Sequence, residues 1–419
     1  MSGPAIDPGR VIGDLRELDR RTGGADGARR VCWGPEWAGA RRFLEELLAE
    51  LRLTPEVDEA GNLWAYLEGE LEPALAVGSH VDSVPQGGWL DGALGVMSAV
   101  GVLRSWAESG RPPPRTLALV DWADEEGARF GRSLFGSSAA AGTLSPDELK
   151  GAHDRDGRAA DEVLAESGVA LERAPLAASR LQRIGALLEL HIEQGPVLES
   201  EGLPVAAVSG TVGIERWRFR FQGRASHAGT TPMDQRRDAG LAAAGLQLAV
   251  GAVGELRSGV ATVGSISIEP GAPTVVPGAA EVVVDLRNAD AADLAGMLAE
   301  VKSAAGQIAG ERGCEVTEQL VWRIDPLGFD PGLVEMAGKS CARVAGSDRV
   351  LVSGALHDAA AVAAQIPVAM IFVRSIGGVS HSPEEDSSEQ DLELAIRAYA
   401  DLAGRALAGG WPEPAEAAR

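Results

Sequence analysis

The chain has 419 residues, 45% hydrophobic and 24% charged, with 38 basic against 61 acidic side chains and a formal net charge of -23. That length exceeds one ordinary core and predicts two domains, each with ample apolar material for an interior. The acidic balance excludes nucleic acid and anionic membrane as partners, because both would repel it.

Three cysteines, Cys32, Cys314 and Cys341, lie far apart without CxxC spacing, which suits a reducing compartment and not a disulfide framework. The opening MSGPAIDPGRVIGDLRELDRR lacks the apolar stretch of a signal peptide, and no uninterrupted apolar run is long enough to span a bilayer. A cytoplasmic location is expected. Helical spacing appears first in Ile12, Leu15 and Leu18, then in Trp37, Phe43, Leu44, Leu47 and Leu48. Strand-like runs follow at LAVGSHV around Val77 and TLALVDW around Leu119, with the helical pattern GALGVMSAVGVLRSW between them. LLELHIE around Leu190 and VAMIFV around Ile371 continue the alternation. Strands alternating with helices predict an α/β domain with a mostly parallel sheet covered on both faces.

The texture changes between Thr211 and Arg323. ERWRFRFQG alternates as a half-exposed strand, an alanine-rich helix runs from Asp238 to Val250, and ATVGSISI and AEVVVDLRN read as strands before a helix from Ala292 to Ala309. This β-α-β-β-α order predicts a smaller ferredoxin-like α+β domain at residues 211–323, inserted into a catalytic domain formed by 1–210 and 324–419. The WPEPAEAAR tail is expected to be a loose end.

Three of the six histidines, His80, His191 and His381, lie within or just beyond strand-like runs. Asp124, Glu125 and Glu126 follow another, and Asp91 sits in the glycine-rich GGWLDGALG. Ligands of open α/β sheets bind beyond the carboxyl ends of the strands, so these groups are expected to converge on one crevice. Imidazole and carboxylate donors suit a divalent metal: zinc, with manganese, cobalt and nickel as alternatives. Asp82, two residues beyond His80, lies on the same side of an extended chain and can orient that imidazole. No GxGxxG or GxxxxGK[ST] follows a strand, which argues against a phosphate loop.

GSHVDSV, GGWLDGALGV, DEEGARF, HIEQGP, SHAGTTPM, DLR and SHSPEE resemble, in order and across nearly the whole chain, the hydantoinase/carbamoylase amidases of the dinuclear zinc aminoacylase and carboxypeptidase group. The resemblance implies two divalent ions per subunit bridged by Asp91, with His80, Glu126, His191 and His381 completing the ligands and the division of the histidines left open. It implies that Glu125 is the general base and that Gln194 contacts a ureido group. His227 is then the oxyanion donor, from its own or a neighbouring subunit, and a homodimer is expected. Arg287 is implied as the clamp on a substrate carboxylate. Thr274 stands where asparagine is usual in the family and Leu356 where glycine is usual, so both bear on substrate choice. His357 receives no catalytic role, and His153 is expected on a polar helical surface. The implied reaction hydrolyses the carbamoyl C–N bond of a small N-carbamoyl-L-amino acid to amino acid, carbon dioxide and ammonia. The alternatives are allantoate or another ureide, or an N-acyl amino acid or peptide, on the same metal site.

Overall fold

A computed structural model describes residues 3–24 and 26–411; the expected loose end at 412–419 lies outside them, while Trp411 packs beneath Arg115, whose guanidinium carbon is 5.0 Å from the indole centroid. The chain forms two compact units, Met1–Ser209 with Phe329–Arg419, and Gly210–Gly328. In the larger unit the main elements are α1 (Pro8–Thr22), α2 (Pro35–Glu50), β1 (Leu63–Leu67), β2 (Ala74–His80), α3 (Ala93–Glu108), β3 (Leu117–Trp122), β4 (Ile184–Ile192) and β5 (Val205–Thr211). The smaller unit contributes β6 (Gly213–Gln222), α4 (Ala239–Leu256), β7 (Val260–Glu269), β8 (Ala279–Asn288), α5 (Ala291–Glu311) and β9 (Glu315–Ile324). The larger unit then resumes with α6 (Pro331–Ala345), β10 (Val368–Val373) and α7 (Glu389–Gly409).

Local chemistry explains the helix starts. Asp7 caps α1 by accepting from Arg10 N, and Pro8 sets the first helical φ. Val11, Ile12, Leu15 and Leu18 then form the buried stripe. The long strands of the large sheet run in the order β5-β10-β4-β2-β3-β1. β10, β4, β2 and β3 are parallel, whereas β5 and β1 join antiparallel. The sheet is therefore mixed, and the expected parallel order holds in the central strands that carry the site. Every residue of β2, β3, β4 and β10 is buried, as strands covered on both faces must be.

In the smaller unit the antiparallel sheet β7-β8-β6-β9 packs Phe219, Phe221, Val282, Val284 and Leu286 against α4 and α5. Helix α4 runs to Leu256, beyond the expected end at Val250. Its 18 residues have a mean hydropathy of 1.4, so it is long and apolar enough to cross a membrane by composition alone; Ala242, Ala243, Leu246, Val250 and Val253 instead pack into this core. His153 is exposed as expected but lies in a turn before the helix that starts at Ala160, because Asp154 accepts from Asp156 N and Arg158 N and Gly157 takes φ +80°.

All three cysteines are unpaired. Burial pushes the Cys341 thiol up to about 12 and raises that of Cys32, whereas Cys314 is partly exposed. Alkylation of the native protein at mildly alkaline pH should therefore modify Cys314 alone, with all three reacting after unfolding. Rapid native labelling of Cys32 or Cys341, read by peptide mass, would contradict the burial.

Candidate metal centre

The parallel register brings the carboxyl ends of β2, β3, β4 and β10 to one edge: His80 pairs with Trp122, and Phe372 with His191. His80 ends β2, His191 lies one residue from the end of β4, Asp124–Glu126 follow β3 and His381 follows β10. The loop after β2 returns at Gly92, where φ is +62° and an added Cβ would sit 2.3 Å from His80 Cε1. Only glycine admits both the backbone turn and the imidazole there.

Asp91 is the centre of the arrangement. Its Oδ1 lies 3.1 Å from His191 Nε2 and 3.7 Å from His80 Nε2, while its Oδ2 lies 3.4 Å from His381 Nε2. His381 Nε2 is also 3.4 Å from Glu126 Oε2. Two potential ligand sets result, His80–Asp91–His191 and Asp91–Glu126–His381, each with its donor atoms within 4.8 Å of one another. The carboxylate thus offers one oxygen to each set.

Backbone carbonyls fix the imidazoles. His191 Nδ1 is 3.0 Å from Ile192 O, and His80 Nδ1 is 3.1 Å from Asp82 O. A carbonyl only accepts, so Nδ1 carries the hydrogen and Nε2 faces Asp91 in both rings. Asp82 lies against His80, its Oδ1 3.5 Å from Nδ1, and its carboxylate also accepts from Glu125 N and Glu126 N at 3.3 and 3.2 Å. It anchors the turn that presents both glutamates. Asp124, Gln194 and His381 have φ of +55°, +58° and +55°, a concentration of left-handed non-glycine backbone typical of functional sites.

Negative charge accumulates here. Burial pushes Glu126 up to about 7, with Asp91 adding to it, and pushes Asp124 up to about 8, with Asp82 adding. Burial likewise raises Glu125 well above the usual carboxylate range. Burial opposes ionisation of Asp91, but His191, His381 and His80 outweigh it and hold that carboxyl well below its usual range. Contact with Asp91 lifts His381 to about 9. A dication in each set would replace the Nε2 protons and discharge crowded carboxylates; nitrogen and oxygen donors in this number fit zinc and similar divalent ions.

Gln194 donates from Nε2 to Asp91 Oδ2 at 2.8 Å, and its Oε1 is buried without a hydrogen-bond partner among the described residues. In the smaller unit, His227 is exposed and its Nδ1 accepts from Gly229 N. His227 and Thr274 share one short ribbon, in which His227 pairs with Val275 and Ala228 N donates to Thr274 O. Arg287 lies on β8 and donates from Nε to Asp285 Oδ1 at 2.8 Å.

Several neighbours of these groups received no role at the site in the sequence reading. The His357 ring packs 4.6 Å from that of His191, centroid to centroid. Glu189 and His357 also form a potential ligand set with His191, but Glu189 is already bonded to Ser79 Oγ and Ala359 N. An acid inside the apolar run LLELHIE was the available signal for Glu189. Ser380 and Glu385, from SHSPEE, approach Asp91 directly.

The family model for Peptidase family M20/M25/M40 matches residues 76–405. The chain is 37% identical over 386 residues to an N-carbamoyl-L-amino acid amidohydrolase of Geobacillus stearothermophilus, covering 91% of this chain and 93% of that one. It is 34% identical over 382 residues to an allantoate amidohydrolase of Escherichia coli (strain K12), covering 90% and 92%. The crystal structure of a hydantoinase/carbamoylase family amidase from Burkholderia ambifaria superposes with a TM-score of 0.88 at 31% identity, covering 98% of this chain and 99% of that one.

Proposed function

Because the chain belongs to the M20/M25/M40 peptidase family, a family of metal-dependent hydrolases, we propose that it hydrolyses the carbamoyl C–N bond of an N-carbamoyl-L-amino acid, giving amino acid, carbon dioxide and ammonia. The observation that carries this reading is the division of Asp91 between two ligand sets, Oδ1 toward His80 and His191 and Oδ2 toward His381. Bound dications, zinc in this reading, supply Lewis-acid polarisation of the carbonyl and acidify a water. The protein's own groups do the rest. Glu125, buried beside His80, accepts the water proton and returns it to the leaving nitrogen. Gln194 offers one amide donor and one acceptor, matching a ureido group. By the resemblance, Arg287 grips the substrate carboxylate and His227 donates to the developing oxyanion.

Allantoate is the second reading, favoured by the similarity to an allantoate amidohydrolase; Thr274, whose hydroxyl has a shorter reach than asparagine's amide, leaves the choice of substrate open. A panel of carbamoyl, ureide and N-acyl compounds, run on zinc-, manganese- and cobalt-loaded protein, separates the readings by relative kcat/KM. Chelation should abolish turnover and divalent ions should restore it. Full turnover after verified metal removal defeats the proposal.

A homodimer in the cytoplasm completes the reading. Helix α4 exposes Leu241, Leu248 and Leu256, which lie with Ala244 and Ala252 on one face and suit a second copy of the chain. Sedimentation should give twice the chain mass, and Leu248→Glu should give the monomer; an unchanged mass in the variant places the interface elsewhere.

A further inference from the structure

The SHSPEE segment contains adjacent glutamates with opposite surroundings. Glu384 is exposed and accepts from Ser382, whereas Glu385 is only 2% exposed. Burying a carboxylate is costly unless donors satisfy it, and Glu385 is satisfied by groups from both loops that carry Asp91 and His381. Its Oε1 accepts from Leu90 N at 3.1 Å and Asp91 N at 2.9 Å. Its Oε2 lies 3.0 Å from Ser380 Oγ, and that hydroxyl is also 3.0 Å from Asp91 Oδ2. Glu385 belongs to neither ligand set; its oxygens are turned to hydrogen-bond donors.

The loop opposite is shaped to admit it. An added Cβ on Gly88 would lie 2.0 Å from Glu385 Cδ, and Gly88 has no left-handed φ that would itself demand glycine. Glycine is required there by the Glu385 side chain, whose Cβ would also lie 2.4 Å away, and not by the turn. The ligand most in need of such support is His381, half exposed and on left-handed backbone immediately after Ser380.

We infer that Glu385 is a positioning residue: it locks the Asp91 loop to the His381 loop across 294 residues of sequence and so sets the spacing of the Asp91–Glu126–His381 ligand set. This rests on the two-cation reading above. Chelator-competition titration of the apo protein with zinc, alongside circular dichroism and thermal unfolding, tests it without relying on activity. Wild type should take up two zinc ions; failure at that step defeats the metal reading itself. Glu385→Ala should weaken the second zinc by about 10- to 100-fold, the range for groups that orient metal ligands, with unchanged secondary structure. Glu385→Gln keeps an oxygen for both backbone N–H groups and should recover affinity to within about tenfold of wild type.

Gly88→Ala provides the readout that a generally structural role would not move. In the wild-type background the new methyl displaces Glu385 and weakens the second zinc; in a Glu385→Gly background, which also removes the Cβ that would lie 2.4 Å from the new methyl, it should add nothing beyond the loss of Glu385 itself, a strongly non-additive cycle. If Glu385→Ala does not fold, Gly88→Ala and Glu385→Gln carry the test alone: the first must weaken the second zinc and the second must largely keep it. Wild-type zinc affinity in Gly88→Ala or in folded Glu385→Ala, or equal effects of Gly88→Ala in both backgrounds, overturns the inference while leaving the two-cation reading intact.

Discussion

Asp91→Asn should leave a folded protein that holds less than one equivalent of divalent metal and hydrolyses its substrate at least about 10³-fold more slowly. The substitution preserves the shape of the side chain and the Asp91 N–H bond to Glu385, so folding has little to lose. It removes one of two negatively charged oxygens. Oδ1 serves His80 and His191, and Oδ2 serves His381, Ser380 and Gln194. An amide has one acceptor oxygen, and its nitrogen presents hydrogens wherever the other oxygen stood. One ligand set therefore faces a donor instead of an acceptor, and the bridge is lost for both. Metal analysis of the dialysed variant beside wild type decides the matter. Two retained equivalents, or turnover near wild type, would mean that Asp91 bridges nothing.

The legibility of these features follows from how local each one is. β2, β3, β4 and β10 stand out because strands buried on both faces are short apolar runs bounded by turns. The directions of β1 and β5 are not encoded so locally; antiparallel pairing at the flanks depends on connections. The last turns of α4 were obscured by Gly251, Gly254 and Glu255, which interrupt the alanine-rich pattern but are tolerated by a helix already packed through Val250 and Val253. His80, Asp91 and His191 were visible because glycine-rich or strand-end settings are unusual places for them. Asp82 was read from spacing alone, which located it beside His80 but could not reveal its bonds to the backbone of Glu125 and Glu126, 43 and 44 residues away. Glu385 is the extreme case: beside an identical neighbour, only its partners 294 and 295 residues earlier distinguish it.

Glu125→Gln should retain both metal equivalents while turnover falls by on the order of 10³-fold, within the range that positioned general acid–base groups contribute. The argument rests on how one turn divides two consecutive carboxylates. Glu126 Oε2 meets His381 at 3.4 Å and its Oε1 accepts from Val84 N, so that side chain is committed to the ligand set. Glu125 Oε2 faces His80 Nε2 at 3.7 Å and belongs to neither set. Asp82 holds the backbone of both, so replacing either side chain should leave the turn in place. Burial first, and then Asp358, Glu126 and Asp82, raise the Glu125 carboxyl far above its usual range, and dications held beside it would lower it again toward the range in which a carboxylate both takes a proton and gives it back. Glutamine keeps the volume and cannot take the proton. Glu126→Gln is the contrast: it should lose metal from the Asp91–Glu126–His381 set, and excess zinc should partly restore it, whereas no concentration of zinc should rescue Glu125→Gln. Near-normal turnover in the metal-replete Glu125→Gln protein would remove Glu125 as the base and move that role to another group within reach of His80.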